Sequence, residues 1–199
     1  MKDPRHPWRH VASAAVVGVL VLLAIGSTDS GDRRSRSTVG QSPPAPAPPL
    51  EPGAQWMYGA SEDPMAKGTT YSATVQSTNT VSFDFPYSGA QHATLTLRTH
   101  PRYGKDVVLR IERGQFLCSS YDGCNVLVRF DDGQPLTFSA GGPSDNSTET
   151  LFIRDYSRFV GGMLKAERVR ISAEIYQEGS PVFEFDVRGF ELSRYRPTP

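Results

Sequence analysis

The sequence has little of what usually announces chemistry. Its 199 residues include two cysteines, four histidines and two tryptophans, and the formal net charge is zero. Cys118 and Cys124 form no C-x-x-C pair and have no His/Cys cluster beside them, so zinc and dithiol redox chemistry find no motif. Beyond the N-terminus the only histidines are His92 and His100. Along one unbroken strand they would stand about 26 Å apart, too far to share a metal or a proton. Both read as surface histidines. There is no G-x-S-x-G elbow, no Ser-x-x-Lys and no glycine-rich phosphate loop, so no catalytic residues are assigned and no cofactor is expected. From Ala54 onward 15 Lys+Arg face 17 Asp+Glu. That balance lacks the basic footprint of a nucleic-acid binder, and no nucleic-acid partner is expected.

Long apolar runs are equally scarce. The one present, Val11 to Ile25, follows a basic segment (residues 1–10) and extends to 17 or 18 residues if Gly26, Ser27 and Thr28 are admitted. As helix it measures about 25 Å, slightly short of a 30 Å hydrocarbon core. Residues 11–27 therefore read as a signal-anchor helix or as a signal peptide cleaved near Gly26. A charged and proline-rich linker, 28–53, comes next. Six prolines between Pro43 and Pro52 predict extended polyproline II, about 30 Å long and without fixed tertiary structure. A spacer suits a tethered domain better than a released one, so the expectation is an inner-membrane anchor with residues 54–196 in the periplasm. The alternative is a secreted or periplasmic protein.

From Thr69 the pattern has period two. Val81, Phe83 and Phe85 alternate with polar residues, and so do Leu95 and Leu97; Val107, Leu109 and Ile111; and Val126, Val128 and Phe130. Val169, Ile171, Ala173 and Ile175 follow, then Phe183, Phe185 and Val187. Alternation of this kind predicts antiparallel strands with one apolar face. Asp122-Gly123 and Asp132-Gly133 are hairpin signals, and Pro101–Gly104 and Glu178–Pro181 are further loops. The predicted fold is all-β, an antiparallel β-sandwich or partly closed barrel. One segment departs from it: apolar residues at Tyr156, Phe159, Val160, Met163 and Leu164 share a helical face, predicting a short helix near 156–166, capped by Asp155 or Ser157.

In an exported chain Cys118 and Cys124 are expected to form a disulfide that fixes a hairpin. The loop that it closes, Ser119, Ser120, Tyr121 and Asp122, is the candidate partner-binding surface, because a rigid loop presenting an aromatic suits recognition. Asp131, Asp132 and Asp145 are candidate cation ligands, although the D-x-D-x-D-G pattern of a calcium loop is missing.

Several phrases recur together: Trp56 with Asp63-Pro64-Met65, the paired cysteines, Val128-Arg129-Phe130-Asp131-Asp132-Gly133, Leu151-Phe152-Ile153, and Phe183 to Phe190. In these the chain resembles the VasI/TagO group of type VI secretion-associated proteins and their uncharacterised exported relatives, over roughly residues 56–192. The resemblance implies an envelope-located accessory protein without a known catalytic centre. The functional expectation is a non-enzymatic module that binds an envelope protein or cell-wall component. The alternatives are a carboxylate-based, cation-dependent envelope hydrolase and a β domain that binds an apolar ligand.

Overall fold

The computed structural model describes residues 51, 53–65, 67–119 and 121–196. The basic segment, the apolar run and nearly all of the linker lie outside the described residues. Among the described residues no helix is long and apolar enough to cross a membrane.

The described part is mostly antiparallel β, as the alternation predicts. In chain order the strands are β1 (Met57–Asp63), β2 (Gly68–Gln76), β3 (Val81–Phe83), β4 (Gly89–Gln91), β5 (Ala93–His100) and β6 (Gly104–Ile111). They continue as β7 (Cys124–Phe130), β8 (Leu136–Gly141), β9 (Thr150–Ile153), β10 (Arg168–Ser172) and β11 (Val182–Asp186). Two short helices, α1 (Tyr156–Met163) and α2 (Leu192–Tyr195), complete the set. Nine strands form one sheet in the order β1-β2-β5-β6-β9-β8-β7-β10-β11, and β3 and β4 form a separate hairpin. The strands that a sandwich would divide between two sheets thus share one continuous ladder.

The β11 end of that ladder meets the chain just beyond β2 and just before β1. Beyond β2 the Thr78 amide donates to the Glu184 carbonyl at 2.7 Å. The Asn79 side chain then replaces a peptide unit: its Oδ1 accepts from the Glu184 amide at 2.8 Å and its Nδ2 donates to the Val182 carbonyl at 2.9 Å. Gln55 Nε2 continues the series by donating to the carbonyls of Asp186 and Arg188. The outer edge of β11 is therefore covered largely by side-chain amides, which spares it the exposed, unpaired backbone of an edge strand.

Curling of the sheet encloses one apolar face. Leu95, Leu97, Val107, Leu109, Val128, Val169, Ile171, Phe183 and Phe185 are all buried in one cluster. The register follows from this, since a slip by one residue would move a whole row outward. Helix α1 adds Phe159 and Met163 to the same core. Asp155 caps it, with Oδ1 accepting from the Arg158 amide. The helix ends at Met163, short of the expected 166. Gly162 is small for a reason: a Cβ there would lie 2.6 Å from the Phe130 ring.

Two sequence expectations fail locally. Alternation predicts Phe85 in an inward row, yet it is 83% exposed, because β3 ends at Phe83 and the chain turns through Asp84–Tyr87. In the β7–β8 turn the positive φ falls on Asp131 and not on Gly133. The reason is visible: in that conformation Asp131 Oδ1 accepts from the amides of both Glu167 and Arg168 at 2.9 Å. The turn thereby fastens the start of β10.

Candidate functional site

Cys118 and Cys124 are joined in a disulfide. The segment leading into it is fixed by the core: the Phe116 amide donates to the Thr148 carbonyl, and the Leu117 amide to that of Glu174. The segment leading out becomes β7, where Cys124 pairs with Ala140. Between them the chain turns on itself. Ser119 Oγ accepts from the amides of Tyr121 and Asp122 at 3.0 and 3.2 Å, a hydroxyl turn of the usual kind. The Gly123 amide closes the turn on the Ser119 carbonyl at 3.0 Å. Gly123 has φ 72°, and a Cβ at that position would meet the Ala140 carbonyl at 2.7 Å. A covalent bridge, a hydroxyl and a glycine thus set the loop, and the Tyr121 side chain leaves it 93% exposed. Ser120 lies outside the described residues. Beside the loop is a small cavity of about 200 Å³ lined by Cys118, Ser119, Gly142, Pro143, Asn146, Ser147 and Thr148.

The cation candidates are not brought together. Asp131 and Asp132 sit in the β7–β8 turn, whereas Asp145 sits in the β8–β9 connection. The Asp131 carboxylate serves the two amides named above. Asp145 Oδ1 accepts from the Ser147 amide at 3.0 Å, which holds its carboxyl below the ordinary aspartate range. Among the described residues no group of three or more His, Cys, Asp or Glu is placed to hold a metal ion. The carboxylate set of the hydrolase alternative is dispersed in the same way. The interior that an apolar ligand would need is occupied by Leu95, Leu97, Leu109, Phe138, Phe159, Phe183 and Phe185.

The histidines serve separate structures. His92 Nδ1 lies 3.2 Å from the Ser77 carbonyl. His100 is not the surface residue expected, since only 13% of its side chain is exposed. Its Nδ1 accepts from the amides of Arg102 and Tyr103. Its Nε2 lies 3.2 Å from Asp63 Oδ2.

A second surface was not singled out from the sequence. Period two places Arg129 (β7), Arg168 and Arg170 (β10), and Glu184 and Asp186 (β11) on the outward face, with Val128, Val169 and Phe185 inward. A cleft of about 630 Å³ opens there, lined by Thr78, by the carboxylates of Asp131, Asp132, Glu167, Glu184 and Asp186, and by Lys165, Arg168 and Arg188. Arg170 Nε donates to Glu184 at 2.8 Å and its Nη1 to the Asp131 carbonyl at 2.8 Å. Arg188 holds Asp186 through two nitrogens, at 3.0 and 2.6 Å, and this keeps the Asp186 carboxyl below its ordinary range. The signal was the arginines at polar positions of the alternation, but nothing local says that β7 and β10 are neighbours.

No family model matches the chain, and no curated protein matches it. Among solved structures it is similar to the invasion associated protein B from Bartonella henselae, at 12% identity and a TM-score of 0.40. The match covers 71% of this chain and 89% of that one. A likeness of that size carries neither fold nor function across. The VasI/TagO group is not among these matches.

Proposed function

We propose that this chain is a non-enzymatic binding module of the cell envelope, whose folded part is held in the periplasm by an apolar anchor and a proline spacer. The observation that carries the reading is the disulfide turn, a loop fixed at both ends that holds Tyr121 almost wholly in solvent. A large amphipathic ring with only two side-chain torsions, carried on a backbone fixed in this way, loses little conformational freedom on binding, which favours recognition. We read the curled sheet as a partly closed barrel serving as the rigid support, with an envelope protein or cell-wall component as the partner. A type VI secretion-associated role, as in the VasI/TagO group, is the narrower form of the same proposal.

The test is capture from solubilised membranes with the full chain as bait, comparing wild type with Tyr121→Ala. A bait found in the membrane fraction, with partner capture reduced at least several-fold in the variant, supports the reading. Unchanged capture by a folded variant overturns the role of Tyr121. A bait confined to the soluble fraction overturns the anchor.

A further inference from the structure

Arg129 and Arg170 are directly opposite each other on neighbouring strands. Like charges in that position repel, and an anion between or beside the two guanidinium groups relieves that repulsion. Asp132 supplies one. Its Oδ1 lies 3.4 Å from Arg168 Nη2, 3.6 Å from Arg170 Nη1 and 3.8 Å from Arg129 Nη2. Three cations thus converge on one carboxylate oxygen, and none of the three holds it closely. The Asp132 side chain is 80% exposed, at the tip of the β7–β8 turn.

The arginines differ in what else they hold. Arg170 is committed to Glu184 and to the Asp131 carbonyl, and Arg129 Nε to the Gly133 carbonyl at 2.9 Å. Arg168 is not satisfied. Its Nε is buried yet has no hydrogen-bond partner, the nearest carboxylate being that of Glu184 at 3.7 Å. A buried donor left unmade costs about 1–3 kcal/mol. Lys165 lines the same cleft and, among the described residues, has no carboxylate partner.

We infer that Arg129, Arg168 and Arg170 form an oxyanion site in which the Asp132 carboxylate is a displaceable resident. With Asp132 swung outward, Glu184 is the one carboxylate left within 4 Å of the three guanidinium groups; Asp131, Glu167 and Asp186 line the same cleft beside Lys165 and Arg188, so four carboxylates stand against five cations and one charge is left to be met. A phosphate-type anion meets it, and its several oxygens can take the fork of Arg168 as well as the spare donors of its neighbours. The occupant is defined by this chemistry, which a free phosphate and the headgroup of an anionic phospholipid share. The inference does not rest on Tyr121 and stands or falls separately from it.

Calorimetric titration of the full chain in neutral detergent tests it, with inorganic phosphate and glycerophosphoglycerol as probes and chloride as control. Asp132→Asn removes the resident charge and should bind one of the two probes about ten-fold more tightly than wild type. Preference for inorganic phosphate points to the free anion, and preference for glycerophosphoglycerol to a lipid headgroup. Adding Arg168→Gln should abolish the gain, and Arg129→Gln, whose Nε is already taken by the Gly133 carbonyl and whose Nη2 is the farthest of the three from Asp132, should reduce it. Arg188→Gln should leave it unchanged, since Arg188 is held by Asp186. If Asp132→Asn binds neither probe more tightly than wild type while folded, the inference is wrong. A gain that survives both arginine substitutions also overturns it.

Discussion

Asn79 is where the curled sheet can be tested most sharply. Its amide makes two hydrogen bonds to β11, at 2.8 Å to the Glu184 amide and 2.9 Å to the Val182 carbonyl. Asn79→Ala removes both. A net hydrogen bond contributes about 0.5–1.5 kcal/mol, with the upper part of that range for a partner shielded from water. The Glu184 amide is part-buried and the Val182 carbonyl exposed. The sum is therefore about 2 kcal/mol. For a folded part of this size the loss should lower Tm by about 6 °C. The assay is thermal unfolding of the full chain in detergent, followed by circular dichroism, with hydrogen exchange read at Glu184. The Glu184 amide should lose protection selectively, while the Thr78 amide, which donates to the Glu184 carbonyl, should lose less. A Tm within about 1 °C of wild type, with Glu184 still protected, would refute the claim that this side chain holds the end of the sheet.

Other outcomes follow from the same geometry. In α1, Gly161→Ala meets nothing within 4 Å and should raise stability by up to about 1 kcal/mol, whereas Gly162→Ala drives a methyl into the Phe130 ring and should lower it; paired urea titrations separate the two signs. Reducing the Cys118–Cys124 bridge should cost about 2 kcal/mol by the loop-closure relation, read as a Tm difference with and without dithiothreitol. Because the Arg188 guanidinium holds the Asp186 carboxyl below its ordinary value, Asp186 contributes stability that is present above the unfolded value of about 3.9 and lost as pH falls through the folded one. Arg188→Ala should therefore be less stable than wild type at neutral pH, and the gap should close in strong acid, as a Tm-against-pH series would show.

The apolar positions were legible because alternation is local. Leu95, Leu97, Leu109, Val128, Ile171 and Phe185 can be assigned inward from two neighbours on either side, and all are buried. The helix beginning at Tyr156 was legible for the same reason, its period changing within a few residues. Pairing is not local, so the order of nine strands in one ladder could not be read from it. Strands β1, β4, β8 and β9 do not stand out in the alternation either, the first because Met57–Asp63 has little apolar content and is mostly exposed. Helix α2 is a single turn, but Tyr195 in it is buried, and its hydroxyl bonds Thr99 at 2.8 Å across the core edge. Nothing in Leu192–Tyr195 alone shows that partner. The disulfide turn was found from two cysteines and an Asp-Gly. The arginine cluster was missed because it exists only once β10 lies beside β7 and the β7–β8 turn folds back over both.

The most direct measurement of the binding claim is crosslinking in intact cells. A photoreactive p-benzoylphenylalanine is placed at Tyr121 of the full chain and, as control, at Thr74 on the outer face of β2. A binding role for the loop predicts a discrete crosslinked species from position 121, found in the membrane fraction and absent from position 74. Equal crosslinking at both positions, or none at 121 in a folded and membrane-associated chain, would contradict it.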